Sequence, residues 1–240
     1  MRTTRNMLYA SRQYTNRQLH EVLPDGAWRG KPCFIIGGGP SLQNFDWSLL
    51  RGKRTIGINR AFERLDPTII FSMDTRFLNW LVKGMYDKRA DGAGAREKFN
   101  RSTAYKVWLA TYRLSLPPEF FIVKVKGNYN QGLRNFGTSL EDGIGHGNNS
   151  GYAALNLAVC LGADPVYLLG FDCNHDHKFG RTHWHSGHPM PQKFKTVKDF
   201  IAYFNRAAMR ISHTKSRVIN LNPESALQCF PKQRPEEVLH

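Results

Sequence analysis

Long hydrophobic runs are missing from this chain. No stretch approaches the roughly 18 to 20 consecutive apolar residues that cross a bilayer as a helix, and the first residues, MRTTRNMLYASRQYTNRQLH, hold no apolar centre of a secretory signal. The expectation is a soluble, cytoplasmic protein without a transmembrane segment. Cysteine is scarce: Cys33, Cys160, Cys173 and Cys229 are scattered and form no C-x-x-C pair, which argues against a zinc knuckle or a disulfide framework. Cys33 and Cys160 stand in apolar runs and read as core. Acidic side chains are also few, 19 Asp plus Glu against 34 Lys plus Arg, a formal net charge of +15. Such an excess favours an acidic partner: a nucleotide-containing small molecule, or an acidic acceptor such as nucleic acid or an anionic glycan. No polybasic tail or aromatic-basic nucleic-acid motif accompanies it. No internal repeat or clear linker divides the chain, and 240 residues with 41% hydrophobic content suffice for one large domain.

What the chain does have begins at KPCFIIGGGPSLQNF, residues 31 to 45. Cys33 to Ile36 is short, apolar and rich in β-branched residues, as a buried parallel strand requires. Gly37, Gly38 and Gly39 then let the backbone turn sharply and bring its N–H groups close to an anion, with Pro40 and Ser41 opening the next element. The spacing is neither G-x-G-x-x-G nor a P-loop, and the same glycines also suit a tight turn with no ligand. Leu42, Phe45, Leu49 and Leu50 recur at helical spacing before Gly52. Residues 54 to 58 and 68 to 73 read as strands two and three, delivering Asn59 and Arg60, then Asp74 and Arg76, past their carboxyl ends. In open α/β sheets ligands bind outside those ends.

Further strands are expected at 105 to 110, 121 to 125, 166 to 169 and 217 to 221. Residues 150 to 162 read as a helix with Ser150 as its N-cap, and 194 to 213 as a second, with Phe194, Val197, Phe200, Ile201, Phe204 and Met209 inward. Residues 83 to 102 show little periodicity and read as a mobile surface segment, and the Gly- and Asn-rich 127 to 148 as a loop that is functional or mobile. Between Asp172 and Pro191, DCNHDHKFGRTHWHSGHPMP holds five of the nine histidines. His175 and His177, like His183 and His185, stand two apart, so an extended segment puts each pair on one face. With Asp172 or Asp176 they fit a divalent metal, although no established metal spacing occurs. A histidine general base is the favoured reading, because imidazole takes a proton near neutral pH, and an exposed polar loop is the alternative without chemistry.

IIGGGPSL from Ile35, NSGYAALNLAVCLGADPVYLLGFD from Asn149, and the late histidine segment before a helix, taken in that order, resemble the family 42 bacterial sialyltransferases. They also resemble the MptE-like domain of 6-hydroxymethylpterin pyrophosphokinases and flagellar-glycosylation proteins. The resemblance implies a single Rossmann-like α/β domain with a mostly parallel sheet flanked by helices and a sialyltransferase-like topology. It implies that Gly37, Gly38, Gly39, Pro40, Ser41, Asn59, Ser150 and Gly151 hold the nucleotide donor, and that His188, in a Gly-His step, is the catalytic base. His185 and His183 are the alternatives for that base. Arg60 and Asp74 are further candidates for holding the nucleotide and Asp172 for the catalytic group, and Arg60, Arg76 or Arg181 would offset leaving-group charge. Cys173, Asn174 and His175 replace the family's tyrosines after Asp172, and Met73-Asp74 replaces an asparagine.

The function expected is therefore a nucleotide-dependent transferase, a glycosyltransferase with a nucleotide-sugar donor and a histidine base. Asp74 and Asp172 would instead hold Mg²⁺ in an MptE-like pyrophosphokinase. A third reading is a catalytically inactive nucleic-acid-binding or accessory protein. The expected organisation is a basic arm over 1–30, the α/β domain over 31–225 with a basic insertion at about 83–104 and a His-rich loop over 172–191, and a surface tail over 226–240.

Overall fold

The computed structural model describes residues 16–85, 93–111, 116–174, 183–185 and 194–240. Seven strands form one sheet: β1 (Cys33–Ile36), β2 (Thr55–Ile58), β3 (Ile69–Ser72), β4 (Tyr105–Ala110), β5 (Phe120–Lys124), β6 (Val166–Leu169) and β7 (Val218–Asn220). Their order is β5-β4-β3-β2-β1-β6-β7, and every neighbouring pair is parallel. Parallel neighbours need crossovers. Helices α1 (Thr75–Val82) and α2 (Ala95–Arg101) lie between β3 and β4, α3 (Tyr129–Gly132) and α4 (Ser150–Cys160) between β5 and β6, and α5 (Phe194–Ile211) between β6 and β7. The chain builds outward from β1 to β5, then returns to lay β6 on the other side of β1. The loops after β1 and β6 therefore diverge at the switch point where α/β sheets form their crevice.

Strand alternation separates two cores. Cys33 and Ile35, with Ile56, Ile69, Phe71 and Leu168, join α4 and the Phe204, Ala207 and Ile211 face of α5. Phe34 and Ile36 face the other way, onto Leu42, Leu50, Ala61, Trp184 and Leu221. Further along that second face, Ile70, Trp108 and Phe120 bury Phe77, Leu78 and Leu81 of α1 and Phe99 of α2. Helix α4 is buried almost all round, which explains its apolar sequence without a polar stripe.

Several expectations change. The helix foreseen before Gly52 is replaced by two 3-10 turns, Pro40–Leu42 and Trp47–Leu50, because the Asp46 side chain accepts from the Ser48 N–H and restarts the chain. The stretch read as an irregular basic segment contains α2, held by buried Ala95 and Phe99. Residues 127–148 are well packed, with His146, Leu140 and Ile144 buried. Met209 is 71% exposed; the buried face of α5 runs through Val197, Phe204, Ala207 and Ile211. Residues 16–18 cover the β5 edge, where the Ile122 N–H donates to Arg17 O and Asn16 Nδ2 donates to the carbonyls of Leu116, Pro117 and Phe120. The N–H groups of Gly26, Trp28 and Gly30 donate instead to the carbonyls of Cys160, Leu161 and Gly162 at the end of α4. The tail is not simply surface, since Lys232 bridges to Asn220 beside β7 and Leu227, Phe230 and Leu239 are buried. Both sheet edges are thereby covered. No helix among the described residues is long and apolar enough to cross a membrane.

Candidate functional site

Asp172 lies at the switch point, two residues beyond Gly170, whose positive φ of 69° swings the chain off β6. It is 5% exposed. Its Oδ2 accepts from the Ser41 N–H at 2.8 Å, and its Oδ1 from the Ser41 hydroxyl at 2.5 Å and Asn222 Nδ2 at 2.8 Å. Its carbonyl accepts from the Ala226 N–H. The loops after β1, β6 and β7 thus meet at one carboxylate. The glycine turn was expected to offer its amides to a phosphate. Instead Gly37 N–H donates to Leu169 O, Gly39 N–H to Gly170 O, and Ser41 N–H to Asp172. The protein supplies its own anion to this turn.

The glycines are explained by close approach, since none of the three has positive φ. A Cβ on Gly37 would stand 2.7 Å from Gly170 O, one on Gly38 2.8 Å from His183 Cδ2, and one on Gly39 2.5 Å from the Asp172 carboxyl carbon.

The segment His183–Trp184–His185 packs on this turn. Trp184 donates its backbone N–H to Gly38 O and its indole N–H to Gly37 O, and its ring joins the second core beside Trp47 and under the Arg64 guanidinium. The His183 and His185 rings stack at 5.2 Å. Arg60, buried after β2, forms a bidentate pair with Glu63 at 2.6 and 2.8 Å, and a 3.2 Å hydrogen bond to His185 Nδ1. Because guanidinium only donates, that nitrogen is the acceptor, and in the neutral ring the proton sits on Nε2. The charge of Arg60, expected to face a nucleotide, is matched by Glu63. His188, His175, His177, Asp176 and Arg181 lie outside the described residues.

Asn59 follows β2 at a positive φ of 52°, and its Oδ1 accepts from the hydroxyl of Ser72, the last residue of β3. Asp74 caps α1, accepting from the Arg76 N–H with the Arg76 guanidinium 3.5 Å away. Two strands separate β3 from β6 in the sheet, so Asp74 and Asp172 leave it about 14 Å apart at normal strand spacing. Both carboxylates already have partners within the protein, Asp172 in Ser41 and Asn222 and Asp74 in the Arg76 N–H. Among the described residues no group of three or more His, Cys, Asp or Glu is placed to hold a metal.

At α4 the N-cap is Asn149 rather than Ser150: its Oδ1 accepts from the N–H groups of Gly151 and Tyr152. Ser150 stands in the first helical position, half-buried. Gly151 is required by Phe171, whose ring would lie 2.7 Å from a Cβ there.

Sequence reasoning missed Ser72, His146 and Asn156. Asn156 is fully buried, accepting from the Gly137 and Gly145 N–H groups and donating to Gly137 O. The signal for it was an amide inside an otherwise apolar helix, where a polar group must find partners. His146 Nδ1 accepts from the Asn148 N–H, which places the proton on Nε2, donated to Tyr129 O at 2.8 Å. Burial pushes its pKa below the ordinary value, against the smaller opposing effect of the Tyr129 bond.

The scan of protein-family models gives no match. The search of curated proteins gives none either. Among solved structures, the chain is similar to the sialyltransferase CstII from Campylobacter jejuni in complex with a substrate analogue, CMP-3FNeuAc. The TM-score is 0.52 at 16% identity, over 88% of each chain. The two chains share a fold. The single parallel-sheet α/β domain expected from the sequence, with a sialyltransferase-like topology, is the one observed.

Proposed function

We propose that this protein is a glycosyltransferase that takes a nucleotide-sugar donor at the carboxyl ends of β1, β2 and β3. The observation that carries the reading is the switch point itself: a glycine turn, Asn59 and the start of α4 gather at one end of a sheet whose fold is shared with an enzyme solved around a CMP-sugar analogue. Asn59, the Gly38 backbone and Ser150 at the head of α4 are the proposed donor contacts. Asp172 orders the turn by binding Ser41, so Pro40, Ser41 and Gly39 shape the site and the ligand falls to their neighbours.

His188 is the proposed general base. It removes the proton of an acceptor hydroxyl, whose oxygen bonds to the anomeric carbon as the bond to the nucleotide phosphate breaks and the nucleotide leaves. His185 suits this role less well, because its Nδ1 lone pair is engaged by Arg60. The pyrophosphokinase reading is the alternative, and it would require Asp172 to give up Ser41 and Asn222 and Asp74 to give up its cap on α1.

A thermal-shift panel of CMP, UDP, GDP and ATP, each with and without Mg²⁺, tests the reading, since a ligand of the folded state raises its apparent stability. A metal-independent shift with CMP is expected. A Mg²⁺-dependent shift with ATP alone, or no shift at all, would overturn it. His188→Ala should lower turnover by about 100- to 10,000-fold with nucleotide binding intact.

A further inference from the structure

Ser72 is wholly buried at the end of β3. Its oxygen accepts from the Asp74 N–H at 3.1 Å, and its hydroxyl lies 2.7 Å from Asn59 Oδ1. A serine hydroxyl has one proton and two lone pairs. With the Asp74 N–H filling one lone pair, the proton is left to find an acceptor. Asn59 Oδ1 provides it. Were the Asn59 amide turned the other way, two donors would converge on the buried oxygen while its own proton had no acceptor, an arrangement that buried polar groups avoid. Ser72 therefore fixes which end of the Asn59 amide faces β3.

The consequence lies at the other end of the amide. Asn59 sits at φ 52°, a conformation unusual for a residue with a side chain, and such positions cluster at functional sites. With Oδ1 held by Ser72, the Nδ2 group is the end left for a ligand. We infer that Ser72 is a positioning residue that sets Asn59 as a hydrogen-bond donor, so that the position past β2 selects an oxygen acceptor on the nucleotide. The inference rests on the nucleotide reading proposed above and adds a polarity to it: donor from the protein, acceptor on the ligand. Ser72 itself does not touch the nucleotide. Asp74, through its N–H, is the third member of the chain, and its carboxylate is occupied separately in capping α1.

Calorimetric titration of the full chain with CMP tests this. Asn59→Asp keeps an oxygen for the Ser72 hydroxyl and removes the Nδ2 donor; it should weaken CMP by about tenfold or more, the scale of one lost hydrogen bond to a ligand. Ser72→Ala should weaken CMP about three- to tenfold in the native background and leave the affinity of Asn59→Ala unchanged, since there is then no amide to orient. A merely structural role for Ser72 would weaken both backgrounds alike. Native affinity in Asn59→Asp, or equal effects of Ser72→Ala in the two backgrounds, would overturn the inference while leaving nucleotide binding standing. Failure of the wild-type protein to bind CMP would overturn the underlying functional reading and this inference with it.

Discussion

Ser41 gives both of its hydrogen-bond donors to one carboxylate: its N–H and its hydroxyl meet Oδ2 and Oδ1 of Asp172 at 2.8 and 2.5 Å. Asn222 adds a third donor from the loop after β7. Asp172→Ala leaves these groups without their acceptor at the centre of three loops. Hydrogen bonds to charged groups contribute about 1.5–3 kcal/mol each and are not additive, so a loss of roughly 3 kcal/mol in urea unfolding is expected. Asp172→Asn keeps one carbonyl oxygen and should cost about half as much. Equal stability of Asp172→Ala and the native protein would show that the carboxylate does not hold the loops together.

Asn156 ties the Gly-rich stretch before α4 to the core. Asn156→Leu fills similar space but leaves the Gly137 and Gly145 N–H groups and the Gly137 carbonyl without that partner. Each unsatisfied buried group costs about 1–3 kcal/mol, so the variant should lose about 3 kcal/mol or more. Amide hydrogen exchange should speed up in residues 137–149 first, because the strands keep their own ladders. Unchanged exchange there would refute the clamp.

The same residues show where the sequence was readable. The strands were, because each is a short apolar run between turn residues and its side-chain alternation is a local property. Residues 105 to 110 and 166 to 169 are recovered at the expected bounds. The stretch 127–148 was not, because much of its order comes from partners distant in sequence, among them the Lys124 carbonyl and the side chain of Asn156 on the helix that follows it. Helix α1 did carry a local signal, Asp74 as N-cap two residues before Arg76 with Phe77, Leu78 and Leu81 on one face, but the same aspartate also fits a metal ligand. At the candidate site, the motif GGGPS announced a sharp turn after β1 but not the partner of Ser41 within it, the Asp172 carboxylate. Nothing local to residues 37–41 announces that a carboxylate more than a hundred residues later fills the turn.

His146 makes stability depend on pH. Its imidazole is buried and neutral, with Nδ1 filled by the Asn148 N–H, and burial places its folded pKa below the ordinary 6.5. As pH falls, the unfolded chain takes up the proton first. The contribution of His146 is therefore fully present above about pH 6.5 and is lost as pH falls from there toward the lower folded value. His146→Gln should remove this part of the slope between about pH 7 and pH 5, at the cost of a lower plateau. An identical slope in the variant, measured by denaturant unfolding across that range, would assign the pH dependence to other groups.

The glycine turn gives a ranked prediction. All three glycines are fixed by contacts with the protein itself, but the contacted atoms differ in how far they can yield. A Cβ at Gly37 meets the Gly170 carbonyl, rigid backbone at the end of β6, so Gly37→Ala must push two strand ends apart. At Gly39 the Cβ meets the Asp172 carboxylate, a side chain held by three donors; Gly39→Ala should break those bonds and resemble Asp172→Ala in its cost of roughly 3 kcal/mol. At Gly38 the Cβ meets only the His183 ring. A ring can rotate away more cheaply than a strand end can move, so Gly38→Ala should cost about 1 kcal/mol. The expected order of destabilisation is Gly37→Ala, then Gly39→Ala, then Gly38→Ala, read from urea midpoints at constant slope. Combining Gly39→Ala with Asp172→Ala should cost little more than either change alone, because the clash and the lost bonds are the same event. Full additivity of that pair, or Gly38→Ala as the most destabilising of the three, would mean that the turn is shaped by something other than the approach of Gly170 and Asp172.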